Sequence, residues 1–556
     1  MEQSKHLQGI SQELIGAGKQ ANAFEPPILS IPVELLTNIF LHYAHDSDNN
    51  IFRPPSWAHI MLVCRHWKRV AKNYAKLWSY VDFHMGLPLN YRMQEEQLRR
   101  SKKHPLVCRF GSCRRYDILR EHGHRIRCLE IDIDTASGAL NGVECPILEL
   151  LDLQVKVADG GPESYSRPAE FIRAASKNLR KISLWGLTVD ITPWSHLSKL
   201  TALQISHKYE LPTPTFDDVI TLLRRCPELV TLTLDRCLPR VVEPVSACAP
   251  QAVKLLFLEE LFLGSYAGRL QHLLRLLTFP STTTLALDVR GAANKKFPDL
   301  LKAVGLHLRH PDAPKLRSAT FQTDEDGRIV ISASTGKSNT RDHFTMRFKP
   351  QMENGLHTLI APIMDAVPIA EAAHLHSLFC SSELPSATWC AIFQRVPQGA
   401  VVSCSLIDML PVMRGLVEAT KEAIASGREI AMPARVQLRV PLRRGEEAEY
   451  EDMPGSIGEL CRLLEAYKAL DAPGKAAGVA LETLELTDTS DDVNPTLAYA
   501  EQLCAHVGQL IINDKTWPWV SIGGDKSSEI ICGTQLGIDA ETSSGGLGAE
   551  GHGDAL

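Results

Sequence analysis

Residues 31–44 read IPVELLTNIFLHYA, and after a polar gap residues 56–83 read SWAHIMLVCRHWKRVAKNYAKLWSYVDF. In the first run Leu35, Leu36, Ile39, Phe40 and Tyr43 recur at i, i+1, i+4, i+5 and i+8, one face of a helix. Pro32 falls at a first helical turn, where its missing N–H has no partner to lose. In the second run Val63, Trp67, Val70 and Tyr74 fall at i, i+4, i+7 and i+11, while Arg65, Lys68, Arg69 and Lys72 fill the other face. Both stripes are too wide for a unit of about 50 residues, which buries too little surface to be stable alone. The segment predicts a helical unit that docks on a partner.

The wording of this stretch resembles the F-box family. Ile31-Pro32-Val33-Glu34-Leu35-Leu36-Thr37-Asn38-Ile39-Phe40 stands where the family has Leu-Pro-x-Glu-Leu-Leu-x-x-Ile-Phe. Val63-Cys64-Arg65-His66-Trp67 stands for Val-Cys-x-x-Trp, and Leu77-Trp78 leads into a short strand, Val81-Asp82-Phe83. The departure is Ile31 for Leu, a small change of shape. The gap from His45 to Arg53 is long and polar, as in many fungal members. The resemblance covers roughly a tenth of the chain. It implies that Pro32, Leu35, Leu36, Ile39, Cys64 and Trp67 form the contact with a Skp-family adaptor and the core beneath it. Such an adaptor sits in turn on a cullin-RING ubiquitin ligase, so the resemblance implies a non-catalytic substrate receptor. An adaptor-bound scaffold or regulator that does not promote ubiquitination is the alternative.

From residue 126 a phrase of the form Leu-x-x-Leu-x-Leu returns: Ile126/Leu129/Ile131, Leu148/Leu151/Leu153, Leu179/Ile182/Leu184, Leu200/Leu203/Ile205, Leu229/Leu232/Leu234 and Leu258/Leu261/Leu263. A degenerate copy lies around Leu285 and Leu287. The alternation within each phrase is that of a strand with one face buried. Between phrases lie helical stretches such as Pro168–Ser176, Phe216–Arg225 and Arg269–Leu277, several followed by Pro before the next phrase. Proline lacks the N–H that a continuing helix needs. Strand and helix at 20 to 30 residue intervals form the signature of a leucine-rich-repeat solenoid, in which stacking makes one core from faces that no single unit can bury. The regular Asn of well-formed repeats is missing, so the stack is expected to be irregular and loosely curved. The fold class is therefore α/β: a three-helix N-terminal unit, then an irregular curved solenoid. Around Asp326-Gly327 the runs 328–333 and 344–348 read as an antiparallel insertion. Later anchors near 375, 401–406, 435–440 and 481–486 read as further units, and 443–458 as an exposed loop.

The boundaries that follow are 1–25, a flexible N-terminus; 26–84, the F-box; 85–125, a basic linker with a helix and first strand; 126–520, the solenoid with insertions; and 521–556, a Gly-rich tail expected to be disordered. Strand residues alternating with the buried leucines should share the opposite face. Glu130, Asp132, Asp152, Gln154, Ser183, Gln204, Thr231 and Thr233 are the candidate target-binding residues, and their polar, acidic balance suits a polar or basic target.

The rest of the composition excludes more than it assigns. A net charge of −6 over 556 residues is small and speaks against a dedicated nucleic-acid binder. Residues 92–127 do carry eleven Lys or Arg against four Asp or Glu, a stripe that could recruit acidic surface or phosphate, or simply solvate the linker. The first residues lack the apolar core of a signal peptide, and no window reaches the 18 apolar residues of a bilayer span. No membrane partner is expected, and the location is expected to be cytoplasmic, nuclear or both. The 14 cysteines form no CxxC pair and read as reduced thiols, with Cys145 and Cys226 as buried fillers before Pro. Cys108, Cys113, His122 and His124 depart from finger spacing, and His122-Gly123-His124 reads as a turn. The letters GxGxxG at 546–551 have no strand before them. No catalytic constellation, cofactor or metal is expected.

Overall fold

In the computed structural model the described residues are 31–45, 56–83, 88–111, 116–134, 140, 142–156, 167–174, 178–186, 194, 197–207, 214–239, 252–292, 295–324, 326–335, 342–349, 356–368, 374–377, 384–395, 401–427, 435–440, 453–470, 481–488, 502–503, 505–512 and 515–516. The chain divides into Met1–Thr516 and Trp517–Leu556, and the second unit, with the expected Gly-rich tail, lies outside the described residues. The expected flexible N-terminus and most of the polar gap after His45 also lie outside them.

The N-terminal unit holds α1 (Val33–His45), a 3-10 turn at Ser56–His59, α2 (Ile60–Val63) and α3 (Arg65–Asn73), and it closes on β1 (Tyr80–Asp82). The chain continues through α4 (Pro88–Arg100), β2 (Leu106–Phe110), α5 (Asp117–His122), β3 (Ile126–Asp134) and β4 (Leu150–Lys156). Next come α6 (Arg167–Ala174), β5 (Lys181–Trp185), β6 (Ala202–Ser206), α7 (Phe216–Arg225), β7 (Thr231–Asp235), β8 (Val253–Lys254) and β9 (Glu260–Tyr266). Then follow α8 (Ala267–Leu276), β10 (Leu277–Thr278), β11 (Thr284–Arg290), α9 (Phe297–Leu308), β12 (Ser318–Thr323), β13 (Ile329–Ser334) and β14 (Phe344–Phe348). The last described stretch runs α10 (Leu356–Ala366), β15 (His374–Ser377), α11 (Ser386–Phe393), β16 (Val401–Ser405), α12 (Leu406–Ser426), β17 (Arg435–Val440), α13 (Met453–Lys468), β18 (Leu481–Asp488), β19 (Val507–Ile512) and β20 (Lys515–Thr516).

Eighteen of these strands form one sheet, and β8 pairs with β10 separately. From β1 through β7, then β9, β11 and β14, every neighbour is parallel. The sheet therefore begins inside the segment assigned to the F-box and runs through the linker. The repeat phrases lie in register: Leu129 faces Leu151, then Ile182, Leu203, Leu232, Leu261 and Leu285. All seven are at most 1% exposed, so each strand's apolar side is covered by its neighbours and the returning chain. Helix α7 matches its sequence expectation to the residue. Thr215 and Asp218 form a reciprocal capping box at its start, and Cys226-Pro227 follows its last turn. Cys145 and Cys226 are buried fillers, as their context suggested.

The antiparallel insertion exists, but within the sheet rather than on it. Spatial order is β11–β14–β13–β12–β15, with β13 antiparallel to both neighbours and β12 parallel to β15. The chain leaves β11, skips two positions to lay down β12, fills the gap with β13 and β14, and crosses back to β15. Gly327, at φ 69°, makes the tight reversal between β12 and β13. Parallel pairing resumes through β15, β16, β17, β18 and β19, and β20 folds back antiparallel. Helices α8 to α13 contact one another in succession. In the tightest of these contacts, α11 on α12, any side chain at Gly415 would collide with Trp389. The loop expected over 443–458 extends too far, because α13 begins at Met453. Pro454 occupies its first turn, where proline is tolerated. His374 and His376 lie on β15.

The ladder sets a stability test. Leu232→Ala should cost about 2–5 kcal/mol in a denaturant titration, because the surrounding strands cannot close the cavity fully. Leu306, 78% exposed on α9, should tolerate the same change with little effect.

Candidate functional site

The apolar stripe of α1 is split between inside and outside. Leu36 and Phe40, one turn apart, are fully buried against Trp57, Ile60, Val70, Ala71, Leu77 and Trp78. Leu35 and Ile39 lie on the adjacent row and are 55% and 46% exposed, with Val33 and Tyr43 open beside them and Leu62 and Val63 also exposed at the end of α2. Six of the twelve large apolar side chains most exposed among the described residues thus lie in this small unit. A patch of that kind marks an interaction surface.

The six residues assigned to adaptor binding take three roles. Leu35 and Ile39 are open, as is Pro32, whose carbonyl accepts the Leu36 N–H at 3.0 Å as α1 begins. Leu36 belongs to the core. Cys64 and Trp67 support the surface from behind: the Cys64 thiol caps α3 by accepting the Trp67 N–H at 3.4 Å, and the Trp67 ring meets Phe40 edge-on at 5.1 Å.

The unit is tied to the sheet by polar and aromatic contacts. Trp78 donates its indole N–H to Ala71 O at 2.8 Å and packs edge-on against Trp57 at 4.9 Å, with Arg100 stacked over it at 4.8 Å. From α4, Gln94 donates to Asp82 O at 2.8 Å and Gln97 to Tyr80 O at 3.1 Å. Strand β1 pairs with β2, and Phe83 stacks on Phe110 at 4.6 Å. The basic stripe is partly consumed here. Arg99 and Arg100 pair with Glu96, and Arg125 donates to Leu98 O and Lys102 O at the end of α4. Lys and Arg are well placed at a helix C-terminus, where carbonyls lack partners.

The candidate target residues line up across the sheet. Glu130 faces Asp152, which faces Ser183, Gln204 and Thr233 in turn, and Asp132 faces Gln154 one step along the strands. Thr231 lies beside Ala202 and Glu260. Glu130 and Asp132 are only 8% exposed, and the other six are half-buried. Arg109 on β2, opposite Glu130, pairs with it at 2.8 Å. Burial nevertheless raises the Glu130 carboxyl to about 7 against that guanidinium. Burial likewise lifts Asp152 to about 6, opposed by hydrogen bonds with Ser183 and Gln154. Trp185, absent from the sequence-based set, is 43% exposed on this face. Its signal was its parity, two residues beyond Ser183.

Cys108, Cys145, Cys226 and Cys237 are buried thiols whose burial raises them, which leaves them poor nucleophiles. Among the described residues no group of three or more His, Cys, Asp or Glu could hold a metal ion. Cys113 lies outside them, His122 ends α5, and His124 sits in the 3-10 turn that follows. No described helix is long and apolar enough to cross a membrane.

Residues 28–84 match the F-box-like family, so the N-terminal unit is an F-box-like domain. No curated protein is significantly similar to the chain in sequence. Among solved structures, the leucine-rich repeat-containing protein LegL7 from Legionella pneumophila aligns over 74% of this chain and 91% of its own, at 12% identity and a TM-score of 0.19. The parallel register of the leucine phrases is what defines the second class, a leucine-rich α/β repeat sheet continuous with the F-box-like unit.

The raised Glu130 carboxyl has a measurable sign. The folded chain holds a proton there that the unfolded chain releases from its ordinary 4.5 upward. This stabilisation is present at low pH and is lost as pH rises to about 7. Relative to Glu130→Gln, the wild-type melting temperature should fall between pH 5 and 7, and the difference should stop growing above that. A difference independent of pH would contradict the assignment.

Proposed function

We propose that this chain is a non-catalytic substrate-recognition subunit: the F-box-like unit docks on a Skp-family adaptor, and through it on a cullin-RING ubiquitin ligase, while the polar strand face holds a target protein. The observation that carries the reading is the open apolar row of Leu35, Ile39 and their neighbours on a unit that matches the F-box-like family. The unit needs its own core for Leu36 and Phe40, and among the described residues this second row stays open. The target surface supports the reading from the other end, because a row of half-buried polar side chains across parallel strands can be matched by complementary groups. No catalytic residue is required. Holding a target near the ubiquitin-carrying machinery raises the effective concentration of its lysines.

The structure selects the test. Leu36 is a poor choice, since removing a buried leucine costs about 2–5 kcal/mol and could unfold the unit. Leu35→Ala with Ile39→Ala removes exposed contacts and should leave circular dichroism unchanged while weakening adaptor pull-down at least about tenfold. Unchanged adaptor binding would sink the proposal. Cullin association without any chain-dependent turnover of a bound protein would favour the scaffold or regulator alternative.

A further inference from the structure

Trp185 is an outlier on its face. Its strand-face neighbours in register are Gln154 on β4 and Ser206 on β6, both polar, yet it leaves 43% of its surface open. Its ring is not loose. The indole N–H donates to Ser183 Oγ at 2.9 Å, and the Ser183 side chain is also hydrogen-bonded to the Asp152 carboxylate on the next strand. One hydroxyl therefore holds an aromatic plane and a carboxylate side by side. Asp132 stands one strand further, opposite Gln154, and neighbouring strands are about 4.8 Å apart. Both carboxylates are thus within a long side chain's reach of the ring.

Charge balance favours a cation here. Glu130 has Arg109, but Asp152 Oδ1 has no hydrogen-bond partner among the described residues, and a buried acceptor left unpaired is costly. Elsewhere the protein covers its own rings with guanidinium groups: Arg100 lies over Trp78 and Arg269 over Tyr266, at 4.8 and 4.9 Å. Among the described residues none lies over Trp185. A guanidinium can stack on an indole and donate in its own plane to a carboxylate at once, which a lysine ammonium cannot do.

We propose that Trp185, Ser183 and Asp152 form a seat for an arginine side chain of the target, the ring stacking on the guanidinium and Asp152 accepting from it. This rests on the receptor reading, which makes the strand face the target surface, and it names the residue that this surface selects. Ser183 is a positioning residue, since it acts by fixing the other two.

A displayed library of short random peptides, panned on the full chain, supplies the probe. Enriched peptides should share an arginine, and replacing it by citrulline, which keeps the shape and removes the charge, should weaken binding about tenfold. Lysine should restore little. Trp185→Ala and Asp152→Asn should each weaken the same peptide at least about fivefold, with Trp185→Phe between wild type and Trp185→Ala. Thermal midpoints serve as the folding control, and the exposed ring and the isosteric amide make both variants mild. Enrichment of peptides lacking arginine, no enrichment, or equal affinity for wild type and both variants would overturn the seat. Adaptor pull-down on the same preparations separates the two claims. Adaptor binding without arginine capture rejects the seat alone, and arginine capture without adaptor binding rejects the ligase reading alone.

Discussion

A five-residue strand with leucine on one face cannot hide that face within its own repeat. Neighbours in register and the chain that returns between them cover it together, and this constraint organises the sheet. Leu151, Leu203, Leu232 and Leu261 fall on one row because each strand must present its leucine at the height of the last. What lies between strands is far less constrained. A parallel connection must return the chain to the same end, and it may do so with a full helix such as α7 or with irregular chain. Unequal repeats are therefore compatible with an even ladder. The insertion obeys the same rule, since β14 stays parallel to β11 and β12 to β15 while β13 takes the one place between them.

The N-terminal unit joins this ladder through its own backbone. Ser79 O accepts the Val107 N–H at 2.9 Å and Arg109 O accepts the Phe83 N–H at 2.7 Å, on either side of the β1–β2 pairing. Arg100, Gln94 and Gln97 of α4 close over the joint. The open apolar row of α1 and the strand face are consequently related by hydrogen bonds rather than by a linker. Under the receptor reading this matters more than the strength of either contact, because effective concentration depends on geometry held as much as on affinity.

Periodicity made the ladder legible. Each phrase carries its own alternation, and the run at 344–348 became a strand of the same length. Side-chain parity also gave the polar row. What could not be read was any choice settled by distant packing. Leu35 and Leu36 look alike in sequence, and only the positions of Trp57 and Trp78 decide which faces inward. The hairpin around Gly327 was evident from its turn residues, but not its place between β11 and β15, because nothing local records which strand a hairpin will join. The exposed loop expected over 443–458 gives way to α13 at Met453, since a proline in a first helical turn breaks nothing. Trp185 has the type of a core residue but the parity of the outward-facing ones, two positions beyond Ser183.

Under the receptor reading the two surfaces differ as their roles would require. An adaptor is one constant partner, and a contiguous apolar patch suits it, since area removed from water gives affinity without needing a detailed match. A target must be told from every other protein. A polar face penalises each mismatch, because a buried donor or acceptor left unpaired costs more than a matched one gains. A single aromatic anchor among polar groups adds binding energy at one point while the surrounding row decides register. Placing Leu35 outward on α1 and the phrase leucines inward on β3–β9 thus leaves the strand face free for selection, with Trp185 displayed beside the row from Glu130 to Gln204.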